Sequence, residues 1–214
     1  MSVLKNKNGR KIMLNIVKVI QVNKQYLGEI DGLIGDGDHG MNMNKGFTMY
    51  ETQLGDNETT FSDGLFDLGS VLINKIGGSM GPIYGTFFMD MSDKANDAEE
   101  ITLALFSDML EAGLEGLYEI VEARPGDKTL VDTIYPALQA IKVSVEDGKN
   151  FEEALDAMKV AAEDGKEYTK GLVAKHGRSA RLGERSKGPL DAGATSCCII
   201  LNAMADELKN LLED

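Results

Sequence analysis

The feature that most constrains the fold is the spacing of the apolar residues, which recur every three or four positions along nearly the whole chain. One such stripe comprises Phe61, Leu65, Leu68, Leu72 and Ile76, and further stripes begin at Leu110, Leu130, Phe151 and Leu201. This spacing places the apolar side chains on one face of a helix, whereas the alternation typical of half-buried strands is nearly absent. The sequence therefore predicts an all-α fold of roughly seven to nine helices, with a kink or interruption at Pro136.

The chain carries a formal net charge of -13 over 214 residues, so nucleic acid and anionic membranes are poor candidates as partners. This negative charge can serve solubility alone, or its acidic groups can bind metal ions or a basic protein partner. The two cysteines, Cys197 and Cys198, are adjacent in an apolar stretch, which favours buried thiols over a disulfide. Because a signal-peptide pattern and a membrane-spanning apolar stretch are also lacking, the sequence predicts a cytoplasmic protein of one domain.

The first glycine-rich connection holds three carboxylates within eight residues, at Asp31, Asp36 and Asp38. The glycines between them let the backbone fold tightly, and converged carboxylates repel one another unless a hard cation lies among them. Oxygen ligands favour Mg²⁺, Mn²⁺ or Ca²⁺ over zinc. An EF-hand starting at Asp36 is excluded, because Met41 and Phe47 stand where glycine and glutamate are needed. We therefore predict a metal site that faces the phosphates of a nucleotide, with helix capping by the aspartates as the alternative.

Three other connections are rich in glycine and polar residues. The segment from Gly77 to Thr86 could bring backbone N–H groups to a phosphate or could serve close helix packing. Asp127 or Thr129 suits the cap of a following helix. Farther along, Arg178 can neutralise phosphate charge, and a helix starting near Thr195 could stabilise an anion.

The two histidines differ in their sequence setting. His39 lies within the acidic loop and is interpreted as a hydrogen-bond donor to phosphate or as a support for the metal ligands. His176 follows Lys175 and is interpreted as a solvated surface residue.

Taken together, these connections resemble those of the nucleotide-binding subunit of dihydroxyacetone kinase, the DhaL family. The resemblance spans nearly the whole chain, and its motifs occur in the family's order. They are Asp31-x4-Asp36-Gly-Asp38-His39-Gly-x-Asn42-Met43, Gly77-Gly78-x-x-Gly81-Pro82-x-Tyr84-Gly85-Thr86-Phe87-Phe88, Gly126-Asp127-Lys128-Thr129, Gly177-Arg178, Leu182-Gly183-Glu184-Arg185-Ser186 and Asp191-x-Gly193-Ala194-Thr195-Ser196.

By this resemblance, the fold is a single-domain antiparallel eight-helix barrel over residues 1–214, with the nucleotide site in loops at one end. Asp31, Asp36 and Asp38 would ligate two Mg²⁺ ions and, with Arg178, would form the catalytic group. The residues implied to surround ADP or ATP are His39, Gly40, Met41, Asn42, Ser79, Met80, Thr129, Leu130, Arg178, Asp191, Ala192 and Gly193. Two of these depart from the family's pattern: Met80 replaces a frequent serine that contacts phosphate, and Ala192 replaces a common proline.

The resemblance implies a kinase subunit that carries the nucleotide, while dihydroxyacetone is held by a separate ketose-binding subunit. In one branch of the family, bound ADP is rephosphorylated by a phosphohistidine subunit of the phosphoenolpyruvate phosphotransferase system. A chain without a ketose-binding domain is similar to that branch. Two alternatives are an ATP-dependent subunit for a related small ketose, such as erythrulose, and a nucleotide-dependent adaptor of a transcription regulator.

Overall fold

The computed structural model describes residues 2–213 and contains eight α-helices in that range. Their bounds are α1 (Gly9–Ile34), α2 (His39–Leu54), α3 (Phe61–Lys75), α4 (Met80–Lys94), α5 (Leu103–Ile120), α6 (Val131–Glu146), α7 (Phe151–Tyr168) and α8 (Ala192–Leu211). Short 3₁₀ segments lie before α1 and between α7 and α8. The prediction of an all-α fold with eight helices is confirmed.

The helices pack in chain order around one core. Each helix contacts the next one in sequence, and α8 also packs against α1, so that the last helix returns to the first. Buried apolar side chains from all eight helices form a single cluster, in which the ring centroids of Phe87 and Phe88 are 5.5 Å apart. Cys197 and Cys198 lie in this cluster as free buried thiols, as predicted.

Side chains at the helix ends account for where several helices begin. The hydroxyl groups of Thr60 and Thr102 accept hydrogen bonds from the backbone N–H groups of Asp63 and Leu105, respectively, and thereby cap α3 and α5. Of the kink or interruption predicted at Pro136, the interruption is wrong, because α6 runs unbroken through this residue. Within residues 2–213, none of the helices combines the length and the apolar character that a membrane span requires.

A small antiparallel sheet accompanies the helices. It consists of β1 (Val3–Lys5), β2 (Glu100–Ile101) and β3 (Leu212–Glu213) in the order β2-β1-β3, with Leu4 of the central strand opposite both Ile101 and Leu212. These strands hold the segment before α1 against the α4–α5 connection and the end of α8. The sequence did not predict them, because alternation cannot be recognised in strands of two or three residues.

Candidate functional site

The connection between α1 and α2 brings three carboxylates together. Asp31 lies in the last turn of α1, and Asp36 and Asp38 lie in the short connection before α2 begins at His39. Each carboxylate offers an oxygen atom that lies within 4.8 Å of the other two. The backbone N–H of His39 donates to Asp31 Oδ2 at 3.3 Å, which orients one of the three carboxylates.

Two glycines make this arrangement possible. Gly37 has a φ of 78°, a conformation that side chains rarely adopt, and it turns the chain between Asp36 and Asp38. Gly40 lies where α2 crosses α1, and a Cβ atom on it would be 1.9 Å from the carbonyl oxygen of Lys24. The start of α2 therefore approaches α1 closely only because this position lacks a side chain.

The donor set fits a hard divalent cation. All three side chains supply oxygen, the ligand atom that Mg²⁺ prefers, and Asp36 and Asp38 are exposed, so that phosphate or water could complete the coordination. Asp38 makes no capping hydrogen bond to α2. Helix capping, the alternative explanation for the aspartates, therefore does not account for Asp38.

Arg178 reaches the same loop from the distant α7–α8 connection. It precedes the 3₁₀ segment Ser179–Ser186 and follows Gly177, whose φ is 69°. Its guanidinium forms an ion pair with Asp36, a residue 142 positions away in the sequence. The Arg178 side chain is 63% exposed, so it remains accessible to an incoming anion.

His39 takes part in a hydrogen-bond network behind the carboxylates. Its Nε2 atom lies 2.7 Å from Ser196 Oγ, which lies 2.6 Å from the hydroxyl of Tyr84. Both hydroxyl groups also contact the carbonyl oxygen of Gly193, at 3.0 Å and 3.1 Å. Burial lowers the pKa of His39 to about 4, although the nearby Asp31 carboxylate opposes this, and burial raises the pKa of Tyr84. His39 and Tyr84 are therefore neutral at pH 7.

The N-terminus of α8 forms another wall of the site. The helix begins at Ala192, so the prediction of a start near Thr195 is wrong by three residues. Asp191 caps it, with its carboxylate accepting the N–H of Ala194 at 2.8 Å. Burial raises the pKa of Asp191 to about 6, while the hydrogen bond from Ala194 and the charge of Lys128 act in the opposite direction.

Lys128 is a wall residue that the sequence analysis did not single out. Its side chain is 1% exposed, and Nζ donates to the carbonyl oxygens of Thr169 and Pro189. Its φ of 62° is the only positive value at a non-glycine position among residues 2–213. Burial lowers the pKa of the ammonium group, although Asp191 opposes this. A buried charge and a left-handed backbone both cost free energy, and such features concentrate at functional sites. The only sequence signal was its position within the Gly126-Asp127-Lys128-Thr129 motif.

These groups surround a cavity of about 490 Å³, a size suited to a small-molecule ligand. The predicted site residues that line it are Asp31, Asp36, Asp38, His39, Ser79, Met80, Thr129, Leu130, Arg178, Asp191, Ala192 and Gly193. Apolar side chains of Ile34, Ile83 and Val121, which the sequence did not predict, form another part of the wall. The cavity thus combines a carboxylate cluster, cationic groups and an apolar surface.

Three predicted residues do not line the cavity. Gly40, Met41 and Asn42 occupy the first turn of α2, where Gly40 packs on α1 and Met41 is 59% exposed. The His176 side chain is 35% exposed, in keeping with its interpretation as a solvated residue, but it also lines the cavity, and its Nε2 atom lies 3.3 Å from Asp127 Oδ2. Asp127 does not cap α6. Its carboxylate instead accepts hydrogen bonds from the Arg124 N–H and from Lys175 Nζ.

Comparison with known proteins places the chain in a family. The family model described as the DAK2 domain matches residues 33–206. The chain is 38% identical over 186 residues to "PEP-dependent dihydroxyacetone kinase 1, ADP-binding subunit DhaL" of Listeria innocua serovar 6a, covering 86% of this chain and 88% of that protein. It is 34% identical over 190 residues to the PEP-dependent dihydroxyacetone kinase ADP-binding subunit DhaL of Escherichia coli K12, covering 87% and 90% of the two chains.

The fold also matches a solved structure. The dihydroxyacetone kinase from C. freundii, crystallised in complex with AMP-PNP and Mg²⁺, superposes with a TM-score of 0.71 at 22% identity. The match covers 93% of this chain and 33% of that one, so this chain spans about a third of the length of that kinase. The TM-score establishes the shared fold and, at 22% identity, nothing further, whereas the family model and the two curated relatives extend the likeness to the sequence. On these matches, the chain belongs to the DAK2 domain family.

Proposed function

We propose that this chain is the ADP-binding phosphoryl-transfer subunit of a phosphoenolpyruvate phosphotransferase-dependent dihydroxyacetone kinase. It would take a phosphoryl group from a phosphohistidine subunit and pass it to dihydroxyacetone on a separate ketose-binding subunit. The observation that carries nucleotide and metal binding is the convergence of three carboxylates, Arg178 and the N-termini of α2 and α8 on one cavity. The likeness to the two PEP-dependent ADP-binding subunits supports the phosphohistidine donor and dihydroxyacetone. We further propose that residues 1–214 act as one nucleotide-binding unit and that the protein is cytoplasmic, because its two thiols are buried and free.

The wall residues divide the work of binding a nucleotide. Asp31, Asp36 and Asp38 would hold two Mg²⁺ ions, which when bound supply positive charge to the phosphates. Arg178 would add a cation at the exposed edge, where a planar guanidinium can bind phosphate oxygens in pairs. The apolar part of the wall, near Ile83, suits the base and excludes water from it.

The first turn of α2 would act through its backbone. The first N–H groups of a helix have no partner within the helix, and the helix dipole is positive at this end. Gly40 and Met41 can therefore serve a phosphate although their side chains do not line the cavity. We retain the prediction for Gly40 and Met41 in this sense, whereas the N–H of Asn42 already donates to the carbonyl oxygen of Asp38 at 3.0 Å.

The proposal is tested with Asp36→Ala and Asp38→Ala, using Asp56→Ala on the exposed surface as the matched control. We expect ADP to co-purify with the wild-type protein and with the control, as seen by absorbance and mass spectrometry, but not with the two site variants. Binding of ADP measured by calorimetry in the presence of Mg²⁺ should fall by at least about tenfold in the site variants. Unchanged binding in both would overturn the proposal.

The same protein can be used to distinguish the proposed function from the ATP-dependent alternative. Met80 favours the alternative, because methionine in place of the family's frequent serine removes a hydroxyl from the cavity wall. With a ketose-binding subunit present, the proposed function requires a phosphohistidine donor for turnover. The alternative requires ATP alone and tolerates the absence of the donor. Turnover with ATP in a donor-free reaction would therefore favour the alternative.

A further inference from the structure

In the hydrogen-bond network behind the carboxylates, the number of contacts exceeds the number of hydrogen atoms that either tautomer of His39 makes available for them. Four contacts join His39 Nε2, Ser196 Oγ, the Tyr84 hydroxyl and the carbonyl oxygen of Gly193, and all lie between 2.6 Å and 3.1 Å. Ser196 is fully buried and Tyr84 is 2% exposed. Water therefore has little access to these hydroxyl groups, and their hydrogen atoms must be used among the four atoms.

Counting hydrogen atoms favours one tautomer of the neutral imidazole. If Nε2 carries the proton, it donates to Ser196 Oγ, and the two hydroxyl groups donate onward to each other and to Gly193, giving three hydrogen bonds. If Nε2 is unprotonated, Ser196 must donate to it, and only the Tyr84 proton remains for the other contacts, giving two. The fully buried geometry therefore selects the tautomer with the proton on Nε2.

This tautomer determines what His39 offers to the cavity. Nδ1 makes no hydrogen bond to any other residue in the 2–213 range, and His39 is one of the wall residues. With Nε2 protonated, Nδ1 carries a lone pair and is an acceptor. A phosphate oxygen is also an acceptor at neutral pH, so the earlier interpretation of His39 as a hydrogen-bond donor to phosphate does not agree with this arrangement.

We propose that Tyr84 and Ser196 are positioning residues that fix the ring orientation and the tautomer of His39, so that Nδ1 accepts a hydrogen bond from a ligand donor such as a nucleotide hydroxyl or amino group. The network joins three separate elements, the starts of α2 and α8 and the first half of α4. It thereby also fixes the position of the α2 start relative to Gly193. The consequence for nucleotide affinity rests on the proposed function, whereas the tautomer itself is a property of the free protein.

The tautomer can be read directly by long-range ¹H–¹⁵N correlation spectroscopy of the nucleotide-free protein at pH 8, above the ordinary pKa of an imidazole. The chain has two histidines, so the signals that vanish in His39→Gln identify the ring of interest. We expect a protonated Nε2 and an unprotonated Nδ1, and we expect this pattern to persist when ADP and Mg²⁺ are added. An unprotonated Nε2 in the free protein, or a shift of the proton to Nδ1 on adding ADP, would overturn the inference.

Two variants test the positioning role, with Ser144→Ala as the matched control. Ser144 is likewise a fully buried helix serine, and its hydroxyl donates to the carbonyl of its own helix at Ala140. Ser196→Ala should give averaged tautomer signals and weaken ADP binding by about tenfold, as the loss of a supporting hydrogen bond commonly does. Tyr84→Phe should act in the same direction by a smaller factor, and it keeps the test valid if Ser196→Ala does not fold.

The outcomes separate this inference from the proposed function. Wild-type tautomer signals or wild-type ADP affinity in both variants would overturn the positioning role. A wild-type protein that fails to bind ADP would contradict the proposed function. The tautomer of the free protein would then still decide whether Tyr84 and Ser196 fix the ring.

Discussion

Asp191→Asn should change the pH dependence of folding stability. The Asp191 carboxylate caps α8 and lies in the cavity wall beside the buried Lys128, and burial raises its pKa from 3.8 to about 6. The folded protein therefore binds this proton more tightly than the unfolded chain does. Between about pH 4 and pH 6 the folded state carries more protons, so the free energy of unfolding falls as the pH rises through this window.

The size of the effect follows from the two pKa values. They differ by about two units, and each unit corresponds to about 1.4 kcal/mol, so complete shielding would make the folded protein about 3 kcal/mol less stable at pH 7 than below pH 4. Part of the Asp191 side chain faces the cavity. Because solvent there screens the charge, we expect the free energy of unfolding to fall by about 2 kcal/mol between these pH values. Asparagine caps a helix as well as aspartate does, so the variant removes the titration and keeps the cap.

The measurement is urea unfolding of the wild-type protein, Asp191→Asn and the exposed control Asp56→Asn, each at pH 4 and pH 7. His39 contributes in the opposite sense, because its pKa is lowered to about 4 and its burial costs stability as the pH falls below its ordinary value of 6.5. All three proteins retain His39, so its contribution cancels in the comparison. Asp191→Asn should gain about 2 kcal/mol relative to the wild type between pH 4 and pH 7. An equal pH dependence in the two proteins would refute the reasoning.

Three further predictions concern the core, the α1–α2 crossing and the exposed cation. Tyr50→Phe should raise Tm by about 2–4 °C in a thermal melt, since the Tyr50 hydroxyl is buried without a partner and removing it should gain about 1 kcal/mol. Gly40→Ala should lower the free energy of unfolding by more than about 2 kcal/mol, because its Cβ atom would overlap a carbonyl of α1, whereas Gly32→Ala, with a nearest atom at 3.9 Å, should leave it unchanged or raise it. Arg178→Ala should weaken ADP binding by about tenfold in calorimetry yet strengthen Mn²⁺ binding to the free protein, because the guanidinium occupies the Asp36 carboxylate.

The helices could be predicted from the sequence because their signal is local. In α3, Phe61, Leu65, Leu68 and Leu72 are all buried, as the three- and four-residue spacing requires. Pro136 misled the prediction of an interruption. It is the sixth residue of α6, so its missing N–H leaves the Asp132 carbonyl without its helical donor. The helix nevertheless continues for ten more residues, with a buried face that includes Ala137, Leu138 and Ile141. Whether such packing outweighs the loss of one hydrogen bond cannot be read from local spacing.

The carboxylate cluster could also be predicted from the sequence, since Asp31, Asp36 and Asp38 and their glycines are close in the chain. Arg178 could be named from the sequence as a cation that neutralises phosphate charge, but its contact with Asp36 could not be predicted. The ion pair between Arg178 and Asp36 spans 142 positions, and it exists because the α7–α8 connection returns to the same end of the helices. Residue type was sufficient to propose a cation here, but the specific contact depends on the packing.

The residues that support the ligand-facing groups were the hardest to predict. Tyr84, Ser196 and Lys128 occur in the glycine-rich motifs, yet their side chains gain a role only through partners that are distant in sequence. Ser196 reaches His39 across 157 positions, and Lys128 reaches carbonyl groups 41 and 61 positions away. A buried hydroxyl or ammonium group must find such partners or destabilise the fold, so each of these side chains constrains two or three elements at once. It follows that motif residues without an evident ligand role are the ones to examine for control over the geometry of those that have one.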